Sequence, residues 1–301
     1  MESRPAVALV NRGARTLGSP EACQALAEKL RERAGIESVF TGPEDDVTAL
    51  ARRHAGTSTR MIVAAGGDGT VSAVAEAIIG TDTVMGVLPL GTLNHFARDL
   101  GIPTGLDDAM QVLSHHTVTA VDAAEVNGRI FINNSGLGLY PATLALREQK
   151  QQDSGWRKWP AHVWAALKAL ARYRMLTILV EAGGRALVRT TPMVFIGNND
   201  YRMQGLALGS RPRIDGGRLC LVIPHRTGRL RLLWFSLRAL FGTRYPEREL
   251  DHIHTDTVRI ESGHERLRVA LDGEVARIPT PLTFRILPRS LHVAVPLAVS
   301  P

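Results

Sequence analysis

An α/β nucleotide-binding domain with a parallel sheet, followed by an all-β, sandwich-like domain, is the fold class the sequence predicts. Three observations carry it. Short apolar runs alternate with stretches of helical periodicity through the first 125 residues. Two of those runs open through glycines directly onto a helix start. After about Val121 the chain turns to short strand-like segments separated by Gly, Asn and Asp. The first rhythm builds a parallel sheet covered by helices, and the second builds a sandwich. A length of 301 residues, 45% of them hydrophobic, suffices for two domains with their own cores. The expected division is residues 1–125 and 126–301.

Taken in order, residues 6–10 (AVALV) form an apolar first strand, and 11–18 are a turn-rich connection. Residues 20–34 carry Ala22, Leu26 and Leu30 at helical spacing, with Gly35 placed to cap the helix. A strand at 37–40 and a short helix at 47–54 follow. Residues 60–65 read as a buried strand running into glycines, 71–79 as a helix, and 83–88 as a further buried strand. In the second half, 129–133, 176–181, 193–197 and 219–224 are strand-like. Residues 257–262, 266–271, 282–287 and 291–295 then succeed one another to the end. The exception is 156–174, where apolar residues at helical spacing are interleaved with Arg and Lys.

Composition narrows the classes. The two cysteines, Cys23 and Cys220, lie far apart and outside any CxxC spacing. Neither a disulfide framework nor a zinc site is expected, and a reducing, cytoplasmic compartment fits. The run at 6–10 is too short for a signal-peptide core. No stretch reaches the roughly 20 apolar residues a spanning helix needs. The net charge of +7 and pI near 10.0 suit an acidic partner or an arginine-rich composition, and charge alone selects neither. No motif or aromatic–basic face of nucleic-acid recognition is present.

The chemistry is concentrated in Gly66-Gly67-Asp68-Gly69-Thr70, between a buried strand and a helix start. Glycines there let peptide N–H groups approach phosphate oxygens, and the helix end adds partial positive charge. The string is neither a Walker A loop nor a dinucleotide fingerprint. Asp68 is the informative residue: beside phosphates a carboxylate repels unless a cation lies between, so a bound metal is implied. A second glycine turn, Leu88-Pro89-Leu90-Gly91-Thr92-Leu93-Asn94-His95-Phe96-Ala97-Arg98, comes one βα unit later. In a parallel sheet it falls beside the first, where open α/β sheets bind ligands. Thr92 and Asn94 offer a hydroxyl and an amide to a phosphate or ribose. Near the end, Leu271-Asp272-Gly273-Glu274 breaks an alternating strand at a tight turn.

These three motifs together, with Gly101-Ile102-Pro103, residues 131–138 and residues 215–221, resemble the diacylglycerol kinase catalytic family, specifically its bacterial soluble lipid kinases. Sphingosine and ceramide kinases are related to it. The resemblance covers nearly the whole chain. It implies an active-site cleft between the two domains and an ATP-dependent, Mg²⁺-requiring kinase acting on a hydroxyl of a membrane lipid. ATP contacts are implied at Thr41, at Gly66, Gly67, Asp68, Gly69, Thr70, Val71 and Ser72, and at Gly91, Thr92 and Asn94. Either Glu274 or Asp272 is expected to accept the substrate proton, and Asp68 with Asp122 to hold metal.

Three positions depart from the family pattern. His95 stands where an aspartate of the metal–water network is expected, and an imidazole lacks the charge that draws Mg²⁺. Gly216 falls opposite the usual acid of a structural metal turn, with Asp215 one residue away. Arg12 replaces a proline after Asn11; it could reach phosphate, but a solvated surface arginine is the better reading. Membrane docking is expected from Trp156, Arg157, Lys158, Trp159, Trp164 and Lys168, or from Arg229, Arg231, Leu232, Leu233, Trp234, Phe235, Leu240 and Phe241; ordinary amphipathic helices read equally well. Two other functions remain open: a NAD kinase-like enzyme, whose family shares the glycine motif, and a non-catalytic nucleotide- or lipid-binding relative.

Overall fold

A computed structural model describes residues 5–14, 16–55, 59–139, 175–201, 203–204, 207–208, 211–225 and 250–297. Both proposed docking segments, around Trp156 and around Trp234, lie outside them. Among the described residues no helix is long and apolar enough to cross a membrane.

Strands β1 (Ala6–Asn11), β2 (Glu37–Thr41), β3 (Met61–Gly66) and β4 (Val84–Pro89) pair in parallel in the order β2-β1-β3-β4. All six residues of β3 are buried, as expected of a strand covered on both faces. Helix α1 (Pro20–Ala34) buries Leu26 and Leu30. Its ends match the sequence signals: the Ser19 hydroxyl accepts from Ala22 N at 3.3 Å, and Gly35 takes the left-handed conformation at φ 63°. Helix α2 (Val47–Ala55) follows β2. Helix α3 (Asp68–Ile78) begins three residues before the predicted 71, so the last three residues of the glycine string are its first turn. The short α4 (His95–Asp99) follows the second glycine turn.

Helix α5 (Leu106–Ser114) and the eleven-residue strand β5 (His116–Val126) come next. The chain then forms β6 (Arg129–Phe131), β7 (Asn134–Gly138), β8 (Leu176–Ala182), β9 (Arg185–Thr191) and β10 (Met193–Asn198). A small hairpin of β11 (Met203–Gln204) and β12 (Ala207–Leu208) precedes β13 (Leu219–Pro224). The last strands are β14 (Leu250–Thr255), β15 (Thr257–Ser262), β16 (Arg266–Leu271), β17 (Glu274–Pro279) and β18 (Leu282–Pro296).

Two sheets face each other in this half. One is antiparallel, in the order β14-β13-β10-β7-β16-β17. The other, in the order β2-β1-β3-β4-β18-β15-β8-β9, continues the parallel sheet of the first half. Between them Leu137, Val194, Ile196, Leu221 and Val269 meet Ile178, Val180, Val258, Ile260 and Phe284 in one buried cluster. Phe131 packs edge-on against Phe284 at 6.3 Å.

The two strands expected at 282–287 and 291–295 are one fifteen-residue strand. Its register against β5 shifts between Leu287 and Leu291, where Arg289 takes φ 50°. Two extra residues on this strand, four steps from Leu287 to Leu291 against two from Ala123 to Val121, bend it without ending it. Beyond the bulge, Val293 pairs in parallel with Met85 of β4. The chain therefore returns to the first half, and the sheet runs unbroken across both.

Candidate active site between the glycine turns and the Asp-Gly-Glu turn

The carboxyl ends of β3 and β4 bring the two glycine turns into direct contact. Leu90 N donates to Gly66 O at 2.9 Å. A methyl group added to Gly91 would lie 2.5 Å from the Gly67 Cα, and one on Gly66 would lie 2.3 Å from Thr70 Oγ1. Peptide packs on peptide here, which only glycine allows. Gly91→Ala therefore forces the two turns apart and is expected to cost about 1–3 kcal/mol, the range for overpacking. A lowered melting temperature together with weakened nucleotide binding would register it.

The predicted nucleotide residues divide by exposure. Thr92 and Gly69 are exposed at the surface of the turns. Thr41 is 1% exposed and bonds Val10 O at 3.4 Å. Thr70 is buried and accepts from Asn11 Nδ2 at 3.3 Å, tying the turn after β1 to the first glycine loop. Asn94, at φ 49°, grips Gly91: its Oδ1 accepts from Gly91 N at 3.1 Å and its Nδ2 donates to Gly91 O at 2.9 Å. The Asn94 amide shapes the turn and does not reach outward, contrary to the sequence expectation. Arg12 lies over the Phe40 ring at 5.7 Å.

The Asp-Gly-Glu turn between β16 and β17 closes onto the first turn of α3. Ser72 Oγ donates to Asp272 Oδ2 at 2.8 Å. The same carboxylate accepts three peptide N–H groups: Ile132 on Oδ2 at 2.8 Å, and Asn133 and Asn134 on Oδ1 at 2.8 and 3.0 Å. Burial pushes the Asp272 carboxyl above its ordinary range, opposed by these four hydrogen bonds. With both oxygens engaged, Asp272 holds the turn, and of the two carboxylates expected there Glu274 is the one left exposed. Glu274 is exposed, and a methyl group on Gly69 would lie 3.6 Å from its Oε1. A cavity of about 290 Å³ opens beside it, lined by Gly69, Ser72, Glu274, Arg52, Glu76 and Arg129 among others. A larger depression of about 790 Å³ lies around the β8–β9 turn and shares no lining residue with it.

Asp68 opens α3, with Gly67 as its N-cap residue. Its Oδ1 is buried and has no hydrogen-bond partner. A buried carboxylate oxygen left without a donor is costly unless a cation completes it. A hard, single carboxylate in a glycine loop at a helix start has the donor chemistry that suits Mg²⁺, which is usually held by one or two carboxylates plus substrate phosphates.

Two family models match the chain. The diacylglycerol kinase catalytic domain matches residues 5–126, and the YegS C-terminal NAD kinase beta sandwich-like domain matches residues 145–295. The chain belongs to the diacylglycerol kinase family. Within it, a diacylglycerol kinase of Bacillus subtilis is 27% identical over 88% of each chain. A YegS-like lipid kinase of Pseudomonas syringae is 36% identical over 36% of each chain. An uncharacterized protein of Synechocystis is 23% identical over 90% of this chain, which spans 66% of that protein's length. A crystal structure of a diacylglycerol kinase from Bacillus anthracis superposes with a TM-score of 0.71 at 18% identity, covering all of both chains. That likeness is one of fold.

Asp122 has a different employment from the one the family implies. It is 1% exposed, and its oxygens accept from Gly217 N at 2.6 Å and Arg289 N at 2.8 Å. It pins the β18 bulge to the loop before β13, with one peptide donor on each oxygen. Asp215 is turned toward Arg213, whose Nε lies 3.1 Å away and holds its carboxyl below the ordinary range. Gly216 packs against Asn199 Oδ1. His95 is exposed at the start of α4.

The sequence reading missed Arg211. Its side chain is fully buried and pairs Nε with Asp99 Oδ2 of α4 at 2.6 Å. It also donates to Ile132 O at 2.6 Å and Asn133 Oδ1 at 3.0 Å. Phe96 and Tyr201 flank the guanidinium at 5.9 and 5.8 Å. Burial pushes the Tyr201 phenol up to about 12, leaving it a neutral donor to Asn133 O at 2.9 Å. Arg211 thus connects the helix after the second glycine turn to the peptide segment that grips Asp272. In an arginine-rich sequence nothing distinguishes it from a surface arginine; only its burial does.

Proposed function

We propose that the chain transfers the γ-phosphoryl group of ATP to a hydroxyl of a membrane lipid. The observation that carries this reading is Glu274 Oε1 lying against Gly69, so that a carboxylate faces a glycine loop at a helix start, the kind of backbone that receives phosphate. Peptide N–H groups at the start of α3 and in the Gly91 turn bind and orient the triphosphate. The lipid hydroxyl enters from the cavity beside Glu274, and its oxygen forms the new bond to the γ-phosphorus. The bond from that phosphorus to the β,γ-bridging oxygen breaks, ADP leaves, and the hydroxyl proton passes to Glu274. Mg²⁺ held at Asp68 supplies neutralisation of the phosphate charge. Asp272 and Ser72 keep the turn and the loop in register. The acceptor class is a diacylglycerol, a sphingoid base or phosphatidylglycerol, met at a peripheral, anionic, cytoplasmic membrane surface.

The test uses γ-labelled ATP, Mg²⁺ and mixed-lipid vesicles, with Asp68→Ala as control. Label should enter the organic phase with the wild type alone; label that ignores the substitution would sink the reading. The second domain's family description likens its β sandwich to that of NAD kinase, which gives one further acceptor to test. Label transferred to NAD and not to lipid would replace the lipid with a dinucleotide. His95→Asp adds a carboxylate at the second glycine turn and is expected to lower the Mg²⁺ concentration needed for half-maximal rate severalfold. An unchanged Mg²⁺ titration would remove this position from the metal's surroundings.

A further inference from the structure

The outer face of the six-stranded sheet carries a group of side chains that the kinase reading does not use. Cys220 on β13 is paired directly opposite His254 on β14, which sets the two side chains side by side on one face. Asp200 follows β10, whose Gly197 pairs with Cys220 from the other side. One ligand atom from each of the three lies within 4.8 Å of the others. His254 Nε2 and Asp200 Oδ1 are 3.0 Å apart. We propose that Asp200, Cys220 and His254 form a binding site for a thiophilic divalent cation of the Zn²⁺ class, with water in the fourth position.

The donor set argues for this class. A tetrahedral ion holding oxygen and nitrogen at about 2.0 Å and sulfur at about 2.3 Å spaces its ligands at roughly 3.3–3.7 Å. His254 Nε2 and Asp200 Oδ1 are 3.0 Å apart and the Cys220 sulfur lies within 4.8 Å of both, so closing the site requires the sulfur and its partners to draw together by at most about 1.5 Å. Thiolate and imidazole select Zn²⁺ over Mg²⁺, so this centre and Asp68 would not compete for one ion. Cys220 is 3% exposed while His254 is exposed, which leaves one open side for a water. Two polar neighbours orient the ligands. Arg218 pairs with the Asp200 carboxylate through Nε on Oδ1 at 3.2 Å and through Nη2 on Oδ2. Burial pushes the Cys220 thiol up, opposed by the Tyr201 peptide N–H. A bound cation supplies the remaining pull, releasing the thiol proton to solvent.

Arg218 is also the competitor, because it compensates Asp200 when no ion is bound. Arg218→Gln frees that carboxylate and is expected to tighten the ion. The site would join β10, β13 and the edge strand β14 across 54 residues of sequence, between Asp200 and His254.

The test is Co²⁺ and Zn²⁺ titration of the full chain after chelator treatment. One Co²⁺ should bind per chain with a thiolate charge-transfer band in the near ultraviolet. Zn²⁺ should displace it and raise the melting temperature, while excess Mg²⁺ should not. Cys220→Ser should abolish the band, and His254→Gln should weaken binding by at least about tenfold. Should Cys220→Ser fail to fold, His254→Gln on the exposed edge strand and Arg218→Gln carry the test by themselves. No charge-transfer band in the wild type means an ion-paired cluster without metal. Co²⁺ affinity unaltered by His254→Gln, or lost only in Asp68→Ala, places the ion elsewhere. Each of these results overturns the proposal.

Discussion

Glu274→Gln is expected to lower kcat by about 10²–10⁴-fold, the usual contribution of a positioned proton acceptor, with little change in the KM for ATP. The amide keeps the size and the exposure of the side chain at the cavity beside Gly69, but it cannot take the hydroxyl proton. Glu274 belongs to a turn held by its neighbour, since Asp272 accepts four donors, so the substitution leaves the scaffold standing. The informative comparison is Asp272→Asn. That change leaves one amide oxygen and an NH₂ facing peptide N–H groups that need acceptors, and each unmatched buried donor costs about 1–3 kcal/mol. Glu274→Gln should thus lose rate at unchanged melting temperature, and Asp272→Asn should lose both. A variant Glu274→Gln that turns over at the wild-type rate would transfer the proton acceptor's role to water or phosphate.

Arg211→Met is expected to destabilise the fold by about 3–5 kcal/mol, the cost of removing one partner of a buried ion pair. Asp99, 10% exposed, would keep a charge with no counterion, and Ile132 O and Asn133 Oδ1 would each lose a donor. The loss should appear as a lowered denaturant midpoint with an unchanged slope. Combining it with Asp99→Leu should recover part of the stability, because an apolar pair replaces an ion pair more cheaply than an orphaned charge. Additive losses in the double variant would mean that Arg211 acts through its packing on Phe96 and Tyr201 and not through Asp99.

Much of this protein was legible in the sequence because its signals are local. The parallel strands announce themselves as apolar runs, α1 by its Ser19 and Gly35 caps, and the glycine turns by residues that only close peptide contact requires. The order of the three motifs sufficed to place the chain in its family. Asp68 stood out in the sequence as a carboxylate inside a glycine loop at a helix start, and its Oδ1 is buried without a hydrogen-bond partner.

Other features depend on which distant groups meet, and no local pattern encodes that. Asp122, Asp272 and Asn94 look like ligands in the sequence, yet their oxygens are engaged by peptide N–H groups of Gly217 and Arg289, of Ile132 to Asn134, and of Gly91. Arg211 looks like one surface arginine among many and is buried at the junction of the two halves. Two residue ranges that read as separate strands are one, because a bulge costs less than breaking the ladder with β5. Two cysteines without a CxxC spacing exclude a sequence-local zinc motif, but strand pairing sets Cys220 opposite His254 and beside Asp200. The sequence by itself determined the elements, the glycine turns and the family, since propensity, capping and periodicity act over a few residues. Only the tertiary structure decided which carboxylates are free to do chemistry, because a polar group's employment is set by the donors that folding delivers to it.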